Sequence, residues 1–496
     1  MPYLERKIMK KRFLPIIAAF CAAATLSAKT VYVDNVRGND SFPGTQTQPV
    51  ASIKRGLALL KTSDTLEVIN SGKPYQMPYP GVNGVTLSIS ASGTMDKPLR
   101  INGNGSVITG LAVIPDNKWK KEGDFYTLPF WPMSNMYKGY KQQNYWLDRT
   151  QIWWVDGKAA PNCKNLDELR KTPGGFWWNK AEKKVLFHLP KGKKLADLKV
   201  ELPANSGFSI HGSHVIVKDF YVIHSWNDGF DTSGSNYKGM YKNCVAVENC
   251  GQGFSCHGTG QTYYEDCAAI RCASSGTCDV HWSYSRYNRC IFYDNTFEAG
   301  VYTVDEGLHS YSDCIIAGNE PFEQIWQITN SAQHFSNCLI LGTPGKDILK
   351  MQDGIVTFRH CTISGGNGFC RVSSSGNGQI AIDSCVITGM EKYLFMLNGT
   401  AIKRTLMRGN LYLNNKGISI NRKTYQESNW KEFLEVAKRR EKDSLFLDGK
   451  TVPADLKLKN RYGTPVIPGA KLPESVLKRF EQLKKIKATP AGISFE

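Results

Sequence analysis

KNCVAVEN at 242–249, EDCAAIRC at 265–272, NRCIFYDN at 288–295, SDCIIAGN at 312–319, SNCLILGT at 336–343, RHCTISGG at 359–366 and DSCVITGM at 383–390 are one unit written seven times. Their cysteines, Cys244, Cys267, Cys290, Cys314, Cys338, Cys361 and Cys385, are spaced by 23, 23, 24, 24, 23 and 24 residues. The same register reaches Phe220, 24 residues upstream, and Leu411, 26 residues downstream. A fixed period of this size marks a stacked repeat, in which each unit buries its apolar side only against its neighbours.

The unit is not helical. After each cysteine comes a short run with alternating apolar positions, ended by Asn or Gly, which is a strand closed by a turn. A second strand follows about ten residues later in every unit. It reads GFDTSG from 229, GFSCHG from 253, GTCDVHW from 276, GVYTVDEG from 300, QIWQITN from 324, DILKMQDG from 347, GFCRVSSSG from 368 and YLFMLNG from 393. Units of two or three short strands stack as coils of an all-β, right-handed parallel β-helix, with like residues about 4.8 Å apart. The cysteine column then reads as an interior stack of small apolar side chains, spanning a β-helix core over 201–415.

Outside the repeat, Arg6, Lys7, Lys10, Lys11 and Arg12 precede an apolar run from Phe13 to Leu26, then Ser27-Ala28. This is the pattern of a secretory signal peptide over 1–28, too short for a membrane span, and it predicts a secreted or periplasmic protein. No other stretch has 18 continuous apolar residues. Without Cys21, 13 cysteines remain, and a one-per-coil column needs no bridges, so mostly free buried thiols are expected.

Residues 29–110 carry, from Val31, VYVDNVRGNDSFPGTQTQPVASIKRGLALLKTSDTLEVI: a strand, a Gly/Asn/Pro turn cluster, and a helix carrying Ile53, Leu57 and Leu60 on one face. This stretch resembles the N-terminal cap and first coil of bacterial right-handed β-helix proteins of the pectate-lyase-like superfamily. The resemblance implies the solenoid fold and extracellular glycan processing; it carries over no catalytic motif residue by residue. A cap is physically required, because an open coil end exposes unpaired strand groups.

From 111 to 200 the repeat lapses, and seven of the eleven tryptophans fall here. Hairpin-like pieces with Asp-Gly and Asn-Lys turns predict a small inserted β-domain. Its tryptophans form either a sheet core or sugar-stacking sites. Residues 416–496 turn polar, with amphipathic helices expected at 429–440 and 474–486, and read as a C-terminal cap or tail.

A solenoid offers chemistry as rows rather than linear motifs. Aligning the second strands on their first residues puts Tyr302, Trp326, Leu349, Cys370 and Phe395 inward. It puts Asp279, Thr303, Gln327, Lys350 and Arg371 outward, with His281 and Asp305 in the next row and Glu306 and Asp353 starting the turn. Asp279, Asp305 and Glu306 become the candidate catalytic carboxylates. Retaining glycosidases place such a pair about 5–5.5 Å apart and inverting ones about 6.5–9.5 Å. His281 would position a water or adjust a carboxylate. Lys350 and Arg371 would hold a sugar carboxylate or sulfate, or act as a lyase in which Arg neutralises a uronate and Lys takes its C5 proton. Asp353, His257 and Trp282 join them as candidate substrate-binding residues. A second patch, Asp228 and Asp231 in WNDGFD with His257 one coil on, has the donors for calcium, although no cofactor is required by any reading. A solvated charge ladder, and Asp beside Gly for backbone reasons, are the ordinary alternatives.

The chain carries a formal +18; the leader has five basic residues against one acidic, leaving +14. That favours an acidic or sulfated polysaccharide partner; nucleic acid, for which no motif exists, is a poor alternative. A monomer is expected. Three functions stay open: a glycoside hydrolase, a polysaccharide lyase, and a non-catalytic glycan-binding or surface β-helix.

Overall fold

The computed structural model describes residues 28–80, 85–129, 153–179, 181–182, 184–296, 299–320, 323–328, 330–372, 377–397, 401–447, 449, 456–460, 462 and 464–496. The stretch expected to be a signal peptide, 1–28, falls, but for Ala28, outside them.

The chain is a parallel β-solenoid. Each coil contributes one strand to each of three faces. One face contains Gly239–Lys242, Gln261–Glu265, Tyr284–Asn288 and Leu308–Ser312, each hydrogen-bonded in parallel to the next coil. The second contains Val245–Val247, Ala268–Ile270, Ile291–Tyr293 and Ile315–Ala317. The third runs Phe208–Ile210, Phe230–Thr232, Phe254–Cys256, Thr277–Asp279, Val301–Thr303, Ile325–Gln327, Asp347–Met351, Gly368–Val372 and Tyr393–Leu397.

The repeat motif follows from the corner between the first two faces. The residue before each ladder cysteine (Asn243, Asp266, Arg289, Asp313, Asn337, His360, Ser384) has φ between 49° and 59°. This left-handed turn is where polar Asn and Asp are tolerated best. It points the next side chain inward, and all seven ladder thiols are free and buried. Each also reaches a backbone carbonyl two residues back, for instance Cys314 Sγ to Ser312 O at 3.2 Å. Three residues before the cysteine lies an aromatic column the period also encodes. Tyr241, Tyr264, Tyr287, Tyr311, Phe335 and Phe358 stack with centroids 4.3–5.7 Å apart. Coil spacing and ring-stacking distance coincide, so one repeat length satisfies both.

The entrance matches its sequence. Thr30–Val33 pairs with Thr65–Val68, and the helix Ile53–Ala58, capped by the Ser52 hydroxyl, buries Ile53 and Gly56. The insertion forms a five-stranded sheet around Phe176–Asn179, Lys184–His188 and Phe125–Pro129, and a four-stranded sheet with Leu111–Val113 and Val200–Pro203. Trp119 and Trp153 lie in its core, which continues into Trp226 and Cys250 of the solenoid. The tryptophans here hold the insertion to the coils.

The C-terminal segment divides. Helix Trp430–Ala437 closes the last coil, burying Phe433 and Ala437 against the main core. Helix Glu474–Leu483, expected with that cap, instead runs back along the second face. Its Val476, Phe480 and Leu483 cover Val245, Ala268, Ile291 and Ile315. Those outward apolar residues require a lateral cover, which the third face lacks among the described residues.

Candidate active site on the open face

The register of the third face corrects the expected rows. Cys278 pairs with Tyr302, Tyr302 with Trp326, Trp326 with Lys350, and Lys350 with Arg371. Continued backward, the column is Ser255, Asp231 and Ser209. This column faces outward. Asp279, Thr303, Gln327, Met351 and Val372 form the column beside it, and it is buried. Asp279 therefore lies inside the coil, and Tyr302 and Trp326 outside, the reverse of the sequence expectation. Two local facts explain the slip. At Thr277–Asp279 the alternation puts a carboxylate inward and a cysteine outward, against the apolar-in rule. At Asp347–Met351 the strand starts one residue early, with Ile348 buried behind it, which shifts the anchor used for alignment. A one-residue shift inverts every side chain.

Inside, Asp279 is satisfied. Its carboxyl accepts from Ser285 Oγ at 2.7 Å and Tyr287 OH at 3.0 Å. His309 Nδ1 stands 2.8 Å from Ser285 Oγ and 3.3 Å from the carboxylate. Burial pushes Asp279 up to about 7 and His309 down to about 3. The pair ties Asp279 of the third face to Ser285, Tyr287 and His309 of the first.

His281, Asp305, Glu306 and Trp282 sit at the exposed rim where the third face turns into the first. His281 (φ 61°) and Asp305 (φ 69°) take the same left-handed corner as Gly234 and Gly258. His281 Nδ1 accepts from Gly258 N at 3.3 Å, and Glu306 accepts from Trp282 Nε1 at 2.8 Å. Asp353 is turned into its own corner, where it accepts from Asn377 N.

What the structure does bring together is Asp228, Asp231 and His257. One ligand atom from each lies within 4.8 Å of the others. Asp228 comes from the corner after the second face and Asp231 from the outward column. His257 stands one coil on in the adjacent outward column. Asp228 accepts from Gln252 N at 3.1 Å and from Ser255 Oγ at 2.7 Å. The same Ser255 hydroxyl is 3.1 Å from Asp231 Oδ1, so it bridges the two carboxyls. Asp231 Oδ2 accepts from Ser209 and Ser233, and Ser209 Oγ is 3.1 Å from His211 Nε2. His257 Nε2 lies 3.6 Å from Asp231 Oδ1. Burial, then the neighbouring Asp231 charge, push the Asp228 carboxyl up to about 6. Asp231 and His257 keep access to solvent, while Asp228 is buried beneath them. The set is two hard oxygen donors and an imidazole, which suits a divalent cation as well as proton transfer.

Sequence reasoning did not single out Ser209, His211, Ser233 and Ser255. Their signal was the Gly–Phe–x strand start at 207, 229 and 253, which fixes Ser209, Asp231 and Ser255 in one column. Further along that column come Cys278 and Tyr302, then Trp326, 5.2 Å from Tyr302 between ring centroids. Lys350 Nζ stands 3.8 Å over the Trp326 ring, and Arg371 follows one coil on. From Asp231 to Lys350 is five coils, about 24 Å. The open face thus carries a carboxyl–imidazole cluster, an aromatic floor and a pair of cations in one line along the solenoid axis.

No family model matches the chain, and no curated protein matches it. Among solved structures the chain is similar to a complex of XylC with xylose (TM-score 0.49, 10% identity, 86% of this chain and 87% of that one). It is also similar to a glycoside hydrolase (TM-score 0.42, 11% identity, 84% and 99%) and to a pectate lyase (TM-score 0.45, 13% identity, 75% and 78%). The likeness lies in the course of the backbone, and the chemistry rests on this chain's own residues.

Proposed function

We propose that the chain is an exported carbohydrate-active enzyme that hydrolyses glycosidic bonds in a polysaccharide lying along the open face. The observation that supports this is the Asp228–Ser255–Asp231–His257 cluster at the head of an aromatic-floored column. The apolar face of a sugar ring stacks on accessible aromatics, here half-buried Trp326 in the column and exposed Trp282 on the rim, while its hydroxyls need the polar groups that flank them.

Asp231 faces the substrate and is the candidate general acid. It donates a proton to the glycosidic oxygen as the bond from that oxygen to the anomeric carbon breaks. The reserve of protons is Asp228, held up by burial, and the Ser255 hydroxyl stands within hydrogen-bond distance of both carboxyls, 2.7 Å from Asp228 and 3.1 Å from Asp231. His257, 3.6 Å from Asp231, orients that carboxyl, and the water that adds to the anomeric carbon gives its proton to solvent. Atoms balance with water as the sole co-reactant. Asp228 and Ser255 are positioning residues in this scheme. Asp305, Glu306, His281 and Trp282, on the rim one to three coils away, contribute to holding the chain.

A lyase reading has its own support in Arg371, whose Nη2 donates to Tyr393 OH at 3.1 Å while that hydroxyl donates to Asp347 at 2.6 Å. There Arg371 would neutralise a uronate and Lys350 remove its C5 proton. The test is a screen of the purified protein on neutral and acidic polysaccharides, reading reducing ends and the ultraviolet absorbance of unsaturated uronates. New reducing ends without that absorbance, lost in Asp231→Asn, support hydrolysis at this cluster. Unsaturated products lost in Lys350→Ala overturn it in favour of elimination. Binding without turnover makes the chain a glycan-binding β-helix.

A further inference from the structure

The cationic end of the column is a site in its own right. Lys346, Asp347, Lys350, Asn367 and Arg371, with Glu323 opposite, line a depression of about 320 Å³. Its cations are differently engaged. Arg371 is oriented from one side by Tyr393 OH and stands 3.9 Å from Asp347 Oδ2. The Tyr393 hydroxyl is itself fixed on the Asp347 carboxylate, so the guanidinium keeps its outer N–H groups toward the depression. Lys350, one coil below and in register with Arg371, rests its ammonium over Trp326 and has no carboxylate within ion-pair distance among the described residues. Two cations on side chains whose strands lie about 4.8 Å apart, one of them unneutralised among the described residues, favour an anion between them. Nothing in the fold needs that placement: both side chains are exposed, and the strand beneath is held by Leu349 and Met351.

We propose that Lys350, Arg371 and Trp326 form a subsite for an anionic sugar unit, carboxylated or sulfated, with the anion between the two cations and the ring against the indole. The subsite rests on the glycan reading above and deepens it. Because it lies five coils, about 24 Å, from Asp231 along one straight column, a single substrate that fills both must be a polymer several residues long. The cationic subsite then sets which chains are retained, and the carboxyl cluster cuts them at a fixed distance. Exposed Trp282 and half-buried Trp326 offer such a chain ring surfaces between the two ends.

The test is direct binding, measured with the full chain carrying Asp231→Asn to remove the hydrolytic acid, with ultraviolet absorbance read alongside to show that polygalacturonate stays intact. Probes are polygalacturonate and its carboxyl-reduced form, and dextran sulfate and dextran. Binding is followed by calorimetry at low and at 0.5 M salt, where the Debye length falls to about 4 Å and exposed charges are largely screened. One anionic probe should bind at least tenfold more tightly than its uncharged counterpart, with the preference lost at high salt. Lys350→Met or Arg371→Met should remove at least tenfold of that preference, and Trp326→Ala should weaken charged and uncharged forms alike. Preference for polygalacturonate identifies a carboxylate and preference for dextran sulfate a sulfate; either supports the subsite. Equal binding of charged and uncharged forms, absence of binding by all four probes, or Lys350→Met and Arg371→Met variants that bind like their parent would overturn it. Since hydrolysis is not read, a failure of the hydrolase scheme leaves this outcome unaffected.

Discussion

Asp279 and His309 should hold each other's pH dependence in balance. Both are buried, and burial disfavours the charged form of each. A carboxyl at about 7 in the fold and 3.8 outside it binds a proton in the native chain that the unfolded chain has lost. Its contribution is therefore present below about pH 4 and is lost as pH rises toward 7. At about 1.36 kcal/mol per pH unit this amounts to up to about 4 kcal/mol. His309 works in the opposite sense. Its native value of about 3, against 6.5 unfolded, means that the unfolded chain binds the extra proton, so stability rises with pH across that window. Between pH 4 and 6.5 the two slopes cancel, and the pair leaves the parent nearly flat. Asp279→Asn keeps the shape and removes one slope. Relative to the parent, it should gain up to about 4 kcal/mol on going from pH 4 to pH 7, whatever its absolute stability. His309→Gln should show the reverse trend, losing ground to the parent between pH 3 and 6.5. Urea unfolding followed by intrinsic fluorescence at half-unit steps of pH reads both differences. A parent-minus-Asp279→Asn difference that stays constant within about 1 kcal/mol from pH 4 to 7 would refute a neutral buried carboxyl.

Three further outcomes check other parts of the structure. Glycan cleavage should decline as pH rises through about 6, where Asp228 gives up its proton, and Asp228→Asn should lose that inflection along with most of the rate. The seven ladder thiols should be unreactive toward a thiol reagent in the native protein and react together on unfolding; reaction of Cys314 at native rates would contradict its burial. Phe480→Ala should cost about 3–5 kcal/mol and raise hydrogen exchange in Val245–Val247, Ala268–Ile270 and Ile291–Tyr293; unchanged exchange there would refute the covering role of the second C-terminal helix.

The period, the strand pair within each coil, the cap and the buried cysteines were determined by sequence alone. All are local or repeated demands: a polar residue before a cysteine makes a left-handed corner, and a stack averages any one coil's irregularity over its neighbours. WNDGFD with His257, and Lys350 with Arg371, were also legible, since each pair lies on consecutive coils of the repeat. What tertiary structure decided was which way each side chain points and what covers it. Thr277–Asp279 breaks the apolar-in rule because Ser285, Tyr287 and His309, from later strands, satisfy a carboxylate inside. The early start at Asp347 shifts one strand by a residue, and with a side-chain period of two that reverses inside and outside. The lateral course of Glu474–Leu483 was equally out of reach: an amphipathic helix states that it needs an apolar surface, and only the folded solenoid says which of its faces is left bare.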